Sequence, residues 1–174
     1  MIKILFSSLI ILTFNFEKSI ICKKYNCVEN VQILFQKKSD KVNDHLLNGY
    51  LLISESLTES NLDRVKINAQ SLIDLIKKNQ LDIKLKNWKN VKDDLVLNLN
   101  YMIKMNDIEH QRKYFSKLTE EFYQIVKKND FDKNLYYQYC PMANSFWLSD
   151  NEKIKNPYYG SKMLSCGTTK EVLK

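Results

Sequence analysis

Apolar residues recur at helical spacing over four stretches of the chain, and beyond Asn129 that period stops. From Asn43 to Thr58, Leu46, Leu47, Tyr50, Leu51, Ile53 and Leu57 make one broad stripe, the signature of a first helix. Ser60 or Asn61 caps a second helix, which runs to about Asn79. Its stripe is Leu62, Val65, Ala69, Leu72, Ile73 and Ile76, and Lys77 and Lys78 fall in the last turn, where positive charge suits the helix dipole. A polar linker over 79–87 leads to a third helix from Trp88 to Met105, with Val91, Leu95, Leu99 and Met102 inward. Asn106 and Asp107 break the chain and cap a fourth, Ile108 to Lys128, with Phe115, Leu118, Phe122, Ile125 and Val126 on one side. Short connections between amphipathic helices predict an all-α fold: a four-helix up-down bundle. The stretch after it is expected to be an irregular Cys/Met segment packed across the bundle.

Composition agrees with helices. Only two prolines and three glycines occur in 174 residues, and most of them fall late in the chain. The formal charge of +7 does not point to nucleic acid. Lysines alternate with acidic residues along the helices, as on a solvated face, and Arg64 and Arg112 are the only arginines. The excess charge reads as solubility, with a weak attraction to anionic surfaces.

The first residues read as an address. Lys3 precedes a largely apolar run from Ile4 to Phe16, too short to span a bilayer and followed by Glu17 and Lys18, as in a signal peptide over residues 1–21. Ser19-Ile20-Ile21-Cys22 resembles a degenerate lipoprotein site, although Ile21 stands where a small residue is usual. An uncleaved anchor is the plainer alternative. Residues 22–42 form an extension in which Cys22 and Cys27 suit a local disulfide, or lipid on Cys22 with Cys27 free. The domain proper is expected over 43–174, exported and periplasmic, or lipid-anchored on that side of the membrane.

Chemistry concentrates in the tail, YYQYCPMANSFWLSDNEKIKNPYYGSKMLSCG over 136–167. Cys140 lies beside Met142, and Met163 beside Cys166. Three readings of the cysteines stay open: a disulfide stabilising the domain by about 3 kcal/mol, a redox-active thiol pair, and two thiolate ligands. A lone methionine is usually a filler of core gaps. Two of them, each within three residues of a cysteine in a polar segment, favour a soft site. Zinc has little use for thioether, so the set suits Cu(I), with Ag(I) as its mimic. His110, at the start of the fourth helix, reads most simply as a surface or capping residue, and geometry also permits a ligand role. The helix beyond it spans about 27 Å at 1.5 Å per residue, and the link from Asn129 to Cys140 reaches on the order of 35 Å when extended. Trp147, Tyr158 and Tyr159 read as packing residues, and Asn156-Pro157-Tyr158-Tyr159-Gly160 as a turn.

CPMA at 140–143, WLS at 147–149, NPYYG at 156–160 and ML-x-CG at 163–167 resemble the pattern of a helical domain of unknown function common in Bacteroidetes. That domain occurs alone and at the C-terminus of periplasmic adaptor (membrane-fusion) subunits of copper/silver efflux pumps. Asp107 to Arg112 with Phe115 is similar to the family's helix before the terminal motifs, and the similarity runs over roughly 43–174. It implies copper binding by Cys140, Met142, Met163 and Cys166, and a ligand role for His110. CPMA and WLS are separated here by only Asn144-Ser145-Phe146, shorter than the family pattern. The expectation is an exported Cu(I)/Ag(I)-binding protein, sequestering the metal or handing it to an efflux adaptor or a cuproenzyme. The alternative is a disulfide-stabilised helical interaction module without metal. No nucleophile–base pair, acidic dyad or phosphate loop suggests an enzyme.

Overall fold

A computed structural model describes residues 42–78, 81 and 83–174. The leader over 1–21, the extension up to residue 41 and the Cys22/Cys27 pair lie outside the described residues. Among the described residues four helices come first: α1 Val42–Thr58, α2 Leu62–Lys78, α3 Trp88–Lys104 and α4 Ile108–Lys128. The apolar stripes are buried, with Leu46, Tyr50, Ile53, Leu57, Val65, Ala69, Leu95, Leu99, Phe115, Leu118 and Ile125 at zero exposure. α1 ends with Ser60 at φ 55°, so that the Asn61 N–H reaches back to the Ser56 carbonyl at 2.9 Å. Asn61 then caps α2, its side chain accepting from the Arg64 N–H at 3.0 Å. Asp107 caps α4 by accepting from the N–H groups of Glu109 and His110 at 2.8 and 3.2 Å.

The tail corrects the all-α expectation. It is not irregular: β1 Leu135–Cys140, β2 Ser145–Ser149 and β3 Thr168–Leu173 form an antiparallel sheet in the order β2-β1-β3. A short 3-10 turn, Gly160–Lys162, lies between β2 and β3. β1 and β2 are joined by a tight hairpin, Tyr139 opposite Phe146 and Cys140 opposite Ser145, with Asn144 at φ 48° closing the turn. β3 pairs with β1 across a bulge between Tyr137 and Gln138. Nor is the segment too polar for the core. Trp147, Leu148, Cys140 and Asn156 are at most 1% exposed.

The bundle is open on one side, and the sheet closes it. Consecutive helices pair along their lengths, while α1 meets α4 over a shorter stretch, where Tyr50 packs on Phe115 and Phe122. β2 lies against both of those helices. A buried relay joins the three elements. The Leu148 N–H donates to the Tyr50 hydroxyl at 3.1 Å, Tyr50 meets Thr119 Oγ1 at 2.7 Å, and Thr119 donates to the Phe115 carbonyl at 3.0 Å. Each group in that chain is satisfied, as burial demands. Burial pushes the Tyr50 phenol well above its usual range, so it stays protonated.

Candidate functional site

The tail returns along α4, from its C-terminal end toward its N-terminal end. Tyr137 stacks on Tyr123 at 4.1 Å, Ser116 donates to Ser145 at 3.2 Å, and Arg112 donates to the Pro157 carbonyl at 2.9 Å. The long link after Asn129 is thus used as its length allowed. Arg112 is 5% exposed and works as a clamp. Besides Pro157 it reaches the Leu57 carbonyl at 3.2 Å, Ser60 Oγ at 2.9 Å and Glu109 at 2.7 Å. One planar guanidinium therefore ties the end of α1 and the start of α4 to the NPYYG turn. Gly160, at φ +54°, sits under that clamp. A Cβ there would come within 2.7 Å of Ser60 Oγ and 2.8 Å of the Thr58 carbonyl, so the turn needs glycine.

This anchored turn brings the two cysteines together. Cys140 is the last residue of β1 and is fully buried, while Cys166 is half-buried in the turn before β3. Both are free thiols. Burial raises the Cys166 thiol above its ordinary value, and the charge of the neighbouring Cys140, followed by a hydrogen bond between the two side chains, raises it further. The sulfur of Cys140 accepts from Asn156 Nδ2 at 3.1 Å and from the Ala143 N–H at 3.4 Å. Donors aimed at sulfur suit a side chain that carries negative charge or bonds a metal.

The methionines stand at the rim. Met142 is 60% exposed on the β1–β2 turn and Met163 39% exposed at the end of the 3-10 turn, so neither fills a core gap. The Cys166 N–H bonds the Met163 carbonyl at 3.1 Å, closing one turn around that pair. The Tyr159 hydroxyl meets the Met142 carbonyl at 3.4 Å, which joins the NPYYG segment to the CPMA turn. His110 is exposed, and both its backbone N–H and its ring bond Asp107: the N–H donates to one carboxylate oxygen and ring Nδ1 meets the other. That ring, together with the backbone N–H groups, holds the Asp107 carboxyl below its usual range. Of the expected site residues, then, Cys140 and Cys166 are brought together, the sulfur of one and the carbonyl of the other bonded by the same Asn156 Nδ2. Met142 and Met163 flank them on adjoining turns, and His110 serves the cap of α4.

A soft ion fits this donor set better than a hard one. Among the described residues no three His, Cys, Asp or Glu side chains cluster as a metal centre would need. A metal here would have the two thiolates as its strong ligands, with thioether the further donor that the neighbouring turns carry. Asn156 and Arg112, which hold the site, carried no signal of their own in the sequence beyond their places in the NPYYG and Asp107–Arg112 motifs.

The chain belongs to a family described as a protein of unknown function, DUF3347, matched over residues 46–134, just over half of its length. That span covers almost all of the four helices and stops one residue before β1. The sulfur residues of the tail lie beyond it. No curated protein and no solved structure matches the chain. No helix among the described residues is long and apolar enough to cross a membrane.

Proposed function

We propose that the domain binds Cu(I), and Ag(I) in its place, through the thiolates of Cys140 and Cys166, with Met142 and Met163 supplying thioether at the rim. One observation supports this reading above the rest. Two free cysteines are drawn together by one buried amide, Asn156 Nδ2, which donates to the Cys140 sulfur at 3.1 Å and to the Cys166 carbonyl at 2.8 Å, and each cysteine has an exposed methionine within three residues. An exposed thioether has no packing role to explain it. The site is open on the Met142 and Met163 side and backed by protein on the Cys140 side, an arrangement suited to exchange rather than to catalysis. The biological role we infer is that of an exported protein which sequesters the metal or passes it to an efflux adaptor or a cuproenzyme. His110 would have to give up its pair with Asp107 to bind, so the four sulfurs form the core set.

Titrating the reduced protein with Cu(I) against a competing chelator tests the site. Wild type should take up one equivalent, and the Cys140→Ser, Cys166→Ser double variant should lose it. Equal affinity in the two proteins would refute the reading. The same proximity of Cys140 and Cys166 favours one alternative, an interaction module stapled by a bond between them. Alkylation of protein purified anaerobically from its own compartment, read by peptide mass spectrometry at Cys140 and Cys166, separates them: both sites alkylated favours the metal, neither the staple.

A further inference from the structure

The sulfur pair is held by a side chain that contains no sulfur. Asn156 has zero exposure, and both ends of its amide are used. Oδ1 accepts from the Tyr158 N–H at 2.8 Å, while Nδ2 donates to Cys140 Sγ at 3.1 Å and to the Cys166 carbonyl at 2.8 Å. Its backbone bonds hold the same region: the N–H donates to the Leu164 carbonyl at 2.8 Å, and the carbonyl accepts from the Gly160 N–H at 3.0 Å. An amide nitrogen has two N–H groups. Here one points at the sulfur of the first cysteine and the other at the backbone of the second.

We propose that Asn156 is the positioning residue of the metal site: its amide sets the separation of the two cysteine-bearing turns and donates to the Cys140 thiolate while that sulfur is bonded to the metal. The inference rests on the Cu(I) reading above. Its physical basis is that a metal-bound thiolate keeps lone pairs and part of its charge, and a buried donor satisfies them at a fixed angle. The turn itself asks less of this position. An Asx turn from Oδ1 to the Tyr158 N–H would be supplied equally by aspartate. Aspartate has no N–H to offer, and places an acceptor against both Cys140 Sγ and the Cys166 carbonyl. Asn156→Asp therefore separates holding the turn from holding the metal.

Asn156→Asp should bind Cu(I) about 10- to 100-fold more weakly in chelator competition, the range expected when an outer partner of a metal ligand is lost. Its sulfur-to-copper charge-transfer band in the ultraviolet should also shift. Circular dichroism reports whether the variant is folded. Should it be unfolded, wild type answers instead: the Asn156 side-chain NH2 resonances of 15N-labelled protein should move when one equivalent of Ag(I) is added. A folded Asn156→Asp with wild-type affinity and an unshifted band would overturn the proposal, as would NH2 resonances that stay in place at full occupancy. Binding indifferent to the cysteine double variant is a different failure, which removes the Cu(I) reading and this inference with it.

Discussion

Arg112 offers the sharpest test of how the tail is fastened to the helices. Replacing it with methionine keeps most of the aliphatic stem but removes every donor. The four contacts are unequal. Glu109 is 62% exposed, so that ion pair contributes under about 0.5 kcal/mol. Ser60 is exposed, and water can replace the guanidinium there. The Leu57 carbonyl keeps a second donor, the Ser60 N–H at 3.0 Å, and its loss should cost about 1 kcal/mol. The carbonyl of buried Pro157 loses a charged donor, worth about 1–3 kcal/mol. The sum is about 2–4 kcal/mol, most of it at the junction between tail and bundle. Urea denaturation followed by circular dichroism gives the total, and fluorescence in a Trp88→Phe background, where buried Trp147 is the one tryptophan left, reports the tail. Arg112→Lys should recover only part, since one ammonium cannot serve acceptors in several directions. Glu109→Ala should change little. An Arg112→Met protein within about 0.5 kcal/mol of wild type would refute the reasoning, because no reading of Arg112 as a surface ion pair predicts a larger loss.

Tyr50→Phe should destabilise by about 1–3 kcal/mol, since the buried Leu148 N–H loses its acceptor, and hydrogen exchange at the Leu148 amide should quicken. Glu121 gives a pH dependence. Burial, then the Asp94 carboxylate, pushes its pKa up to about 8, with Asn98 donating at 3.0 Å in partial compensation. The folded value lies above the ordinary 4.5, so this contribution is complete below about pH 4.5 and is lost as pH rises through about 8. Glu121→Gln should flatten that decline and be about 1–2 kcal/mol more stable than wild type at pH 8, a figure reduced for the group's partial exposure. Thermal melts across pH 5–9 would check it. Cu(I) at 100 times its dissociation constant should stabilise wild type by about 2.7 kcal/mol and leave the cysteine double variant unmoved.

The helices were legible because their information is local. A stripe such as Val65, Ala69, Leu72, Ile73 and Ile76 states its own period, and all five residues are buried. The caps at Asn61 and Asp107 were readable for the same reason. The sheet was not. β3, Thr-Thr-Lys-Glu-Val-Leu, is a mostly exposed edge with no alternation, and the bulge at Tyr137/Gln138 breaks the period of β1. The partners of β1 leave no mark in any local pattern. The sulfur residues stood out by composition. The polar residues that hold them did not, because the burial of Arg112, Asn156 and Tyr50 makes sense only once their partners are in place.

The family match ends at Asn134, yet the fold does not divide there. Tyr50, Phe115 and Phe122 form a wall of α1 and α4 that β2 and Tyr158 cover, with Phe115 and Tyr158 rings 5.9 Å apart. A chain cut after the matched span would bare that wall to water and orphan the Tyr50 hydroxyl's link to β2. Such a fragment should self-associate or melt early, so the four helices are a module only with their lid on.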